Sequence, residues 1–270
     1  MDISSTVRLN DSNRMPWLGL GTWRSPPGKA TEQAVLWALE AGYRHIDTAA
    51  IYGNEQSVGA AVQKRGIPRE EIFITTKLWN ADHSNPGKAL RQSLSKLGMS
   101  YVDLYLIHFP VRQRLSSWQV LEQLQKDGLC RSIGVSNFTI RHMKELLPSA
   151  RVIPAVNQVE FNPYLYQREL HEFCTKNKVW LEAYSPLAQG EKLKDPKLVS
   201  LAAKYSRSPS QLLIRWCLQK EVVVIPKSVH REFIFQNADV FSFSITKEDM
   251  VLLDSFDENL RLCWDPTVAP

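Results

Sequence analysis

"GYRHIDTAAIYGNE", Gly42 to Glu55, is the stretch whose reading decides the fold. Upstream of it, Ala34, Ala38 and Ala41 with Leu39 form an apolar helical stripe that stops at Gly42, the position just past a helix end where glycine is favoured. A strand-like run then starts at His45 and ends at Asp47, and a loop follows that carries Tyr52. Three proton-handling groups, His45, Asp47 and Tyr52, thus fall at and just beyond one strand end.

The same unit recurs along the chain. Strand-like runs begin near Leu18, His45, Phe73, Val102, Ser132, Ala155, Trp180 and Val222. Helical stripes lie between them, such as Leu90, Leu94 and Leu97 before Gly98, and Trp118, Leu121 and Leu124 before Gly128. Eight strands alternating with helices predict an α/β fold, a single (β/α)8 barrel. A hairpin from Val7–Leu9 returning near Trp17 precedes the barrel. The longer gap before the eighth strand holds two helical patterns, Lys197 to Tyr205 and Pro209 to Gln219. A last helix over Thr246 to Phe256 and the tail "DENLRLCWDPTVAP" follow, the tail expected as a short loop over the barrel mouth. No linker rich in Pro, Gly or Ser divides the chain, so residues 1–270 read as one domain.

An open doubly wound sheet is the competing architecture, and Gly19-Leu20-Gly21 resembles the start of its glycine fingerprint. The third glycine position holds Arg24 and no helix begins there, which rejects it. The two glycines instead suit close backbone approach at the barrel mouth.

Composition narrows the function. The 270 residues are 44% hydrophobic and 23% charged, enough for a large core and a solvated surface. A net charge of +5, spread along the chain, argues against a nucleic-acid groove. Apolar runs such as Val222 to Pro226 are too short to cross a bilayer, and the N-terminus lacks a signal-peptide pattern. Cys130, Cys174, Cys217 and Cys263 lie far apart, which predicts free thiols in a reducing, cytoplasmic compartment.

In a (β/α)8 barrel, chemistry gathers at the C-terminal ends of the strands. Those ends are Gly21-Thr22-Trp23, Asp47, Lys77 in "FITTKLWN", His108 in "DLYLIHFP", Ser136-Asn137, Gln158 and Glu160 in "AVNQVEFNP", Tyr184 in "LEAYSPL" and Lys227 in "VVIPKS". Any one of these polar residues is equally well a satisfied core group; the whole set on one rim is not. Tyrosine, with a reference pKa of about 10, is a reluctant acid. A Lys77 ammonium held by Asp47 is expected to favour the Tyr52 phenolate, making Tyr52 a general acid for an oxygen becoming an alkoxide. Neutral His108 donates a second hydrogen bond to that oxygen. With no nucleophile and no metal set, the pattern points to carbonyl reduction by hydride from a cofactor.

"GYRHIDTAAIYGNE", "TTKLWN", "DLYLIH", "GVSNF", "NQVEFNP" and "IPKS" together make the chain resemble the aldo-keto reductase family over nearly its whole length. Its compact loops are similar to the branch that includes 2,5-diketo-D-gluconate reductases and trypanosomatid prostaglandin F synthases. The resemblance implies catalytic Tyr52, Asp47, Lys77 and His108. It implies an NADPH cofactor held by Gly21, Thr22, Ser136, Asn137, Gln158, Tyr184, Ser185, Leu187 and Gln189. Further along, Lys227, Ser228, Val229, His230 and Arg231 would face the adenosine phosphate, and Asn237 the adenine. Trp23, Trp79, His108 and Phe109 wall the pocket of a small-molecule carbonyl substrate. A monomer acting on neither nucleic acid nor membrane is expected. Phe233 stands where relatives commonly carry an arginine toward the 2′-phosphate, which leaves NADH open as a cofactor.

Rival readings are a cofactor-binding regulatory or structural protein of the same fold, and a metal-dependent hydrolase. His45-x-Asp47 spacing hints at metal ligands, but more converging partners are needed and His45 reads as scaffold low in the barrel. Glu55 reads as a cap or orienter of the loop and helix that follow Tyr52.

Overall fold

In the computed structural model, which describes residues 1–270, the chain opens with Thr6–Arg8 (β1) and Arg14–Pro16 (β2), an antiparallel hairpin with Val7 opposite Met15. Both side chains are buried. Asn10 Nδ2 donates to the carbonyl of Pro154 at 2.9 Å, and Trp180 Nε1 donates to that of Arg8 at 3.0 Å. The hairpin therefore sits against the starts of barrel strands, at the end away from their C-termini.

Eight parallel strands follow in sequence order: Leu20–Gly21 (β3), His45–Asp47 (β4), Phe73–Leu78 (β5), Val102–Ile107 (β6), Cys130–Ser136 (β7), Val156–Glu160 (β8), Trp180–Tyr184 (β9) and Val223–Val224 (β10). Bridges Leu18 to Val224 and Gly21 to Lys227 join the first of them to the last. This is the expected (β/α)8 barrel. Every residue of β5 and β6 is buried, the pattern of a parallel strand covered on both faces.

The first and last barrel strands start later than the sequence suggests, at Leu20 and Val223 rather than near Leu18 and Val222. Beyond Val224, Pro226 offers no N–H to a ladder, and its carbonyl instead accepts from Gly21 N at 3.1 Å.

The helices are Lys29–Glu40 (α1), Glu55–Arg65 (α2), Pro86–Leu97 (α3), Arg114–Lys126 (α4), Ile140–Leu146 (α5), Arg168–Lys176 (α6), Pro196–Lys204 (α7), Pro209–Gln219 (α8), Arg231–Ala238 (α9) and Lys247–Asp254 (α10). Their ends are set locally. Asn85 accepts from Lys88 N at 3.0 Å with Pro86 in the first turn, and Ser208 with Gln211 forms a capping box on α8. Gly42 ends the first helical unit at φ +100°, a backbone that other residues adopt only with strain. Thr246 caps α10 instead of belonging to it. Between helices and strands, 65 buried apolar side chains form one contiguous cluster.

Candidate active site

The strand register places the polar ends in one layer. Gly21 lies beside Asp47, Lys77 beside Leu106, and Ser136 beside Gln158. Gly19 and Gly21 lack side chains for a reason: a Cβ at Gly19 would fall 2.6 Å from His45 Nδ1, and one at Gly21 2.8 Å from the carbonyl of Ile225.

Lys77 is fully buried, and its Nζ meets Asp47 Oδ1 at 2.7 Å, Asp47 Oδ2 at 2.8 Å, the Thr48 carbonyl at 2.9 Å and Tyr52 Oη at 3.3 Å. Burial raises the Asp47 carboxyl while Lys77 and Gln158 oppose that rise. The two-oxygen contact decides between them: an ammonium aimed at both oxygens at these distances keeps the pair ionised. Since Lys77 donates toward the phenol oxygen, the Tyr52 hydrogen is free to point elsewhere, and Tyr52 lines the cleft.

The sequence predicts that Lys77 loosens this hydrogen, and the buried setting does the opposite. Burial, followed by the charge of Asp47, holds the Tyr52 phenol well above its ordinary value. Desolvation and the Asp47 charge both act to keep the Tyr52 hydrogen in place, so the phenol is protonated. Lys77 instead supplies a charge-assisted hydrogen bond to the oxygen that is left behind.

His108 directly follows β6, with its ring edge-on to Tyr52, centroids 5.7 Å apart, and stacked on Phe109 at 4.8 Å and 3°. Burial and then the Lys77 charge keep its imidazole neutral, well below the usual histidine range. Trp79 lies 5.3 Å from His108, and Trp264 packs edge-on against Phe109 at 4.8 Å. The tail that carries Trp264 is held by Glu160, whose carboxylate accepts from the amides of Leu262 at 3.0 Å and Cys263 at 3.1 Å.

These walls enclose a cleft of about 740 Å³. Gly21, Trp23, Trp79, His108, Phe109, Ser136, Asn137, Gln158, Tyr184, Ser185, Leu187, Gln189 and Lys227 all line it. Asn137 Nδ2 donates to the His108 carbonyl at 3.0 Å, and its Oδ1 accepts from Tyr184 OH at 2.7 Å. Asn137, Ser185, Ala188 and Gln189 all hold left-handed backbones, strain gathered on one side of the cleft.

Other expected residues lie outside the cleft wall. Thr22 is buried with its hydroxyl donating to the Asp47 carbonyl at 2.8 Å, so it fixes β4. Ser228, Val229 and His230 follow β10 along the rim, and Arg231 at the start of α9 pairs with Glu40 at 2.8 Å. Asn237 is buried, with its Oδ1 unpartnered. Glu55 begins α2 but is buried there, accepting from Thr76 Oγ1 at 2.7 Å, which orients the helix against β5. His45 sits deep in the barrel, 3.1 Å from Thr75 Oγ1.

Sequence reasoning missed three residues. Arg24 lines the cleft with its guanidinium 4.2 Å over the Trp23 ring; its only sequence signal was its place three residues beyond a strand-end glycine. Glu160 was read as a strand-end group, with nothing to show that it grips the tail. Glu182, buried in the middle of β9 and outside the cleft wall, accepts from Gln158 Nε2 at 2.8 Å.

The residues present fit an elongated anionic dinucleotide. Lys227 has no acidic partner, and desolvation and then the neighbouring Arg24 charge lower its ammonium below the ordinary lysine value, the electrostatics of a place prepared for an anion. No three His, Cys, Asp or Glu side chains converge on a metal position. No helix is long and apolar enough to cross a membrane.

Comparison with known proteins agrees with this geometry. Residues 17–258 match the Aldo/keto reductase family. The chain is 45% identical to the 9,11-endoperoxide prostaglandin H2 reductase of Trypanosoma cruzi over 96% of this chain and 94% of that protein. It is 44% identical to the glyoxal reductase of Bacillus subtilis, over 98% and 97%. A solved aldo-keto reductase of Bombyx mori in complex with NADP superposes with a TM-score of 0.92 at 38% identity, covering 98% of this chain and 97% of that one. The chain therefore belongs to the aldo/keto reductase family and is an oxidoreductase.

Proposed function

We propose that this protein reduces small aldehydes and ketones to alcohols with NADPH, Tyr52 being the proton donor. The observation that carries the reading is the Lys77 ammonium, which touches Asp47 and Tyr52 together at 2.7 and 3.3 Å on the floor of the cleft.

The cofactor, when bound, supplies the hydride. The chain's own groups do the rest. Tyr52 and neutral His108 present hydrogens toward one substrate oxygen, Tyr52 delivering its proton as that oxygen gains charge. Lys77 then faces the phenolate oxygen, with Asp47 holding the ammonium in place. Trp23, Trp79, Phe109 and Trp264 exclude water around the reacting carbon. Ser136, Asn137, Gln158 and Tyr184 would hold the nicotinamide, Ser185 to Gln189 the pyrophosphate, and Lys227 with Arg24 the phosphates beyond.

NADPH is favoured over NADH by Lys227, Arg24 and Arg231, although Phe233, exposed on α9, adds no charge there. A monomer is part of this reading, and the four unpaired cysteines support a reducing cytosol. Purified protein mixed with NADPH and glyoxal should consume the reduced cofactor, seen as loss of its near-ultraviolet absorbance, and more slowly with NADH. Binding of NADPH without turnover of any aldehyde or ketone would favour a regulatory role instead.

A further inference from the structure

Gln158 reaches across the barrel from β8 with both of its amide hydrogens engaged. One goes to Asp47 Oδ2 at 2.8 Å and the other to Glu182 Oε2 at 2.8 Å. Its side-chain oxygen Oε1 accepts nothing from the protein, unlike its main-chain carbonyl, which accepts from Ser136 Oγ, and Gln158 lines the cleft. Two carboxyl groups below the amide thus fix which way it faces: nitrogen into the barrel, oxygen toward the cleft.

The charge count in this buried layer is short by one cation. The ionisable groups facing Glu182 are His45 and Asp47 from β4, Tyr52 from the loop after β4 and Lys77 from β5, while β8 presents Gln158 and β10 Val223 beside it. Lys77 is committed to Asp47. His45 is fully buried near the Lys77 charge, its Nδ1 is unpartnered against Gly19, and its Nε2 stands 3.5 Å from Glu182 Oε1. A second carboxylate here would have no counter-charge, so Glu182 keeps its proton, on the Oε1 that Gln158 does not use.

We propose that Glu182 is a positioning residue for the reduction: as an uncharged acid it locks the Gln158 amide with its oxygen facing the nicotinamide carboxamide, and its ionisation turns the enzyme down. This rests on the reading that the cleft takes NADPH. Burial and then Asp47 push Glu182 up to about 8, while burial and then Lys77 push His45 down to about 3. Ionisation of Glu182 places a second negative charge beside Asp47, and both carboxylates strengthen the hold of Tyr52 on its proton.

Two substitutions separate orientation from charge. Glu182→Gln keeps an acceptor for Gln158 and does not titrate; Glu182→Leu is of similar size and offers no acceptor. NADPH dissociation constants from quenching of tryptophan fluorescence, and kcat for glyoxal, are measured from about pH 6 to about pH 9.5. The wild type is expected to lose kcat through an apparent pKa near the value of about 8 that Glu182 carries. Glu182→Gln should stay within about threefold of wild type at neutral pH and lack that alkaline limb. Glu182→Leu should bind NADPH about tenfold more weakly, the worth of one buried hydrogen bond. Unchanged NADPH affinity in Glu182→Leu, or an unchanged alkaline limb in Glu182→Gln, overturns the proposal, and the second result decides alone if the leucine variant does not fold. A wild type without affinity for NADPH sinks the cofactor reading and this inference together; normal wild-type binding with indifferent variants sinks only the inference.

Discussion

The two ends of the cleft are built differently. Around Tyr52, the polar groups are bonded to one another before any ligand arrives: Lys77 to Asp47, Asp47 to Gln158, Ser136 to the Gln158 carbonyl and Asn137 to Tyr184. Around Lys227 they are less committed, although Ser228 Oγ accepts from His230 N and Arg24 donates to Gln189. Lys227 has no acidic partner, Arg231 is turned to Glu40 on the surface, and Asn237 keeps an unpartnered oxygen. The first end rests on strands of a closed barrel, the second on a loop after the two-residue β10 and on the eight-residue α9. Chemistry is preorganised where the fold is rigid, and the grip on a charged ligand is completed only when the ligand supplies the missing partners.

The largest effect should come from breaking the preorganised end. Tyr52→Phe removes the donated hydrogen and leaves the ring, so kcat for an aldehyde should fall by about 100-fold or more while the NADPH dissociation constant holds, as steady-state kinetics and fluorescence titration will read. Wild-type turnover in that variant would end the case for Tyr52 as the acid.

The buried acid and imidazole give this end a signature in stability. Unfolded, Glu182 titrates near 4.3 and His45 near 6.5. Folded, the first keeps its proton up to about 8 and the second refuses one down to about 3. From about pH 4.3 to 6.5 both states carry one proton on the pair and the two effects cancel. Above that, the folded state alone retains a proton, so stability falls by up to about 2 kcal/mol between about pH 6.5 and 8. Urea melts across that window should show the fall in wild type and its loss in Glu182→Gln; equal slopes would mean that Glu182 ionises early.

The smallest effect belongs to the open end. Lys227→Met should raise the KM for NADPH about tenfold with kcat unchanged, since it removes a contact equal in ground and transition states. A matching fall in kcat would show that the two ends are mechanically coupled.

Much of this was legible in the sequence because each working group ends an apolar run. Asp47, Lys77 and His108 stand out where a buried strand meets the rim, and Tyr52 lies a few residues past such an end. Glu182 was hidden because "WLEAY" reads as a buried strand with a single polar interruption; strand register sets it beside Gln158, and only the barrel's closure brings it to His45. The sign of the Tyr52 shift was misread for a related reason. Spacing shows which charges are near, whereas desolvation depends on how completely the other strands cover them. The pairing of Arg231 with Glu40 joins distant parts of the chain and leaves no local trace.

The grip of Glu160 on residues 262 and 263 is made entirely through main-chain amides. Such a clasp is blind to side-chain identity, since every residue except proline offers the same N–H. The terminal segment can therefore exchange Trp264 for a smaller or more polar neighbour without losing its path, and the proton donor beneath stays untouched. If the tail walls the substrate site as proposed, substrate preference in this scaffold would be an interchangeable part, fastened by a fitting that accepts almost any replacement.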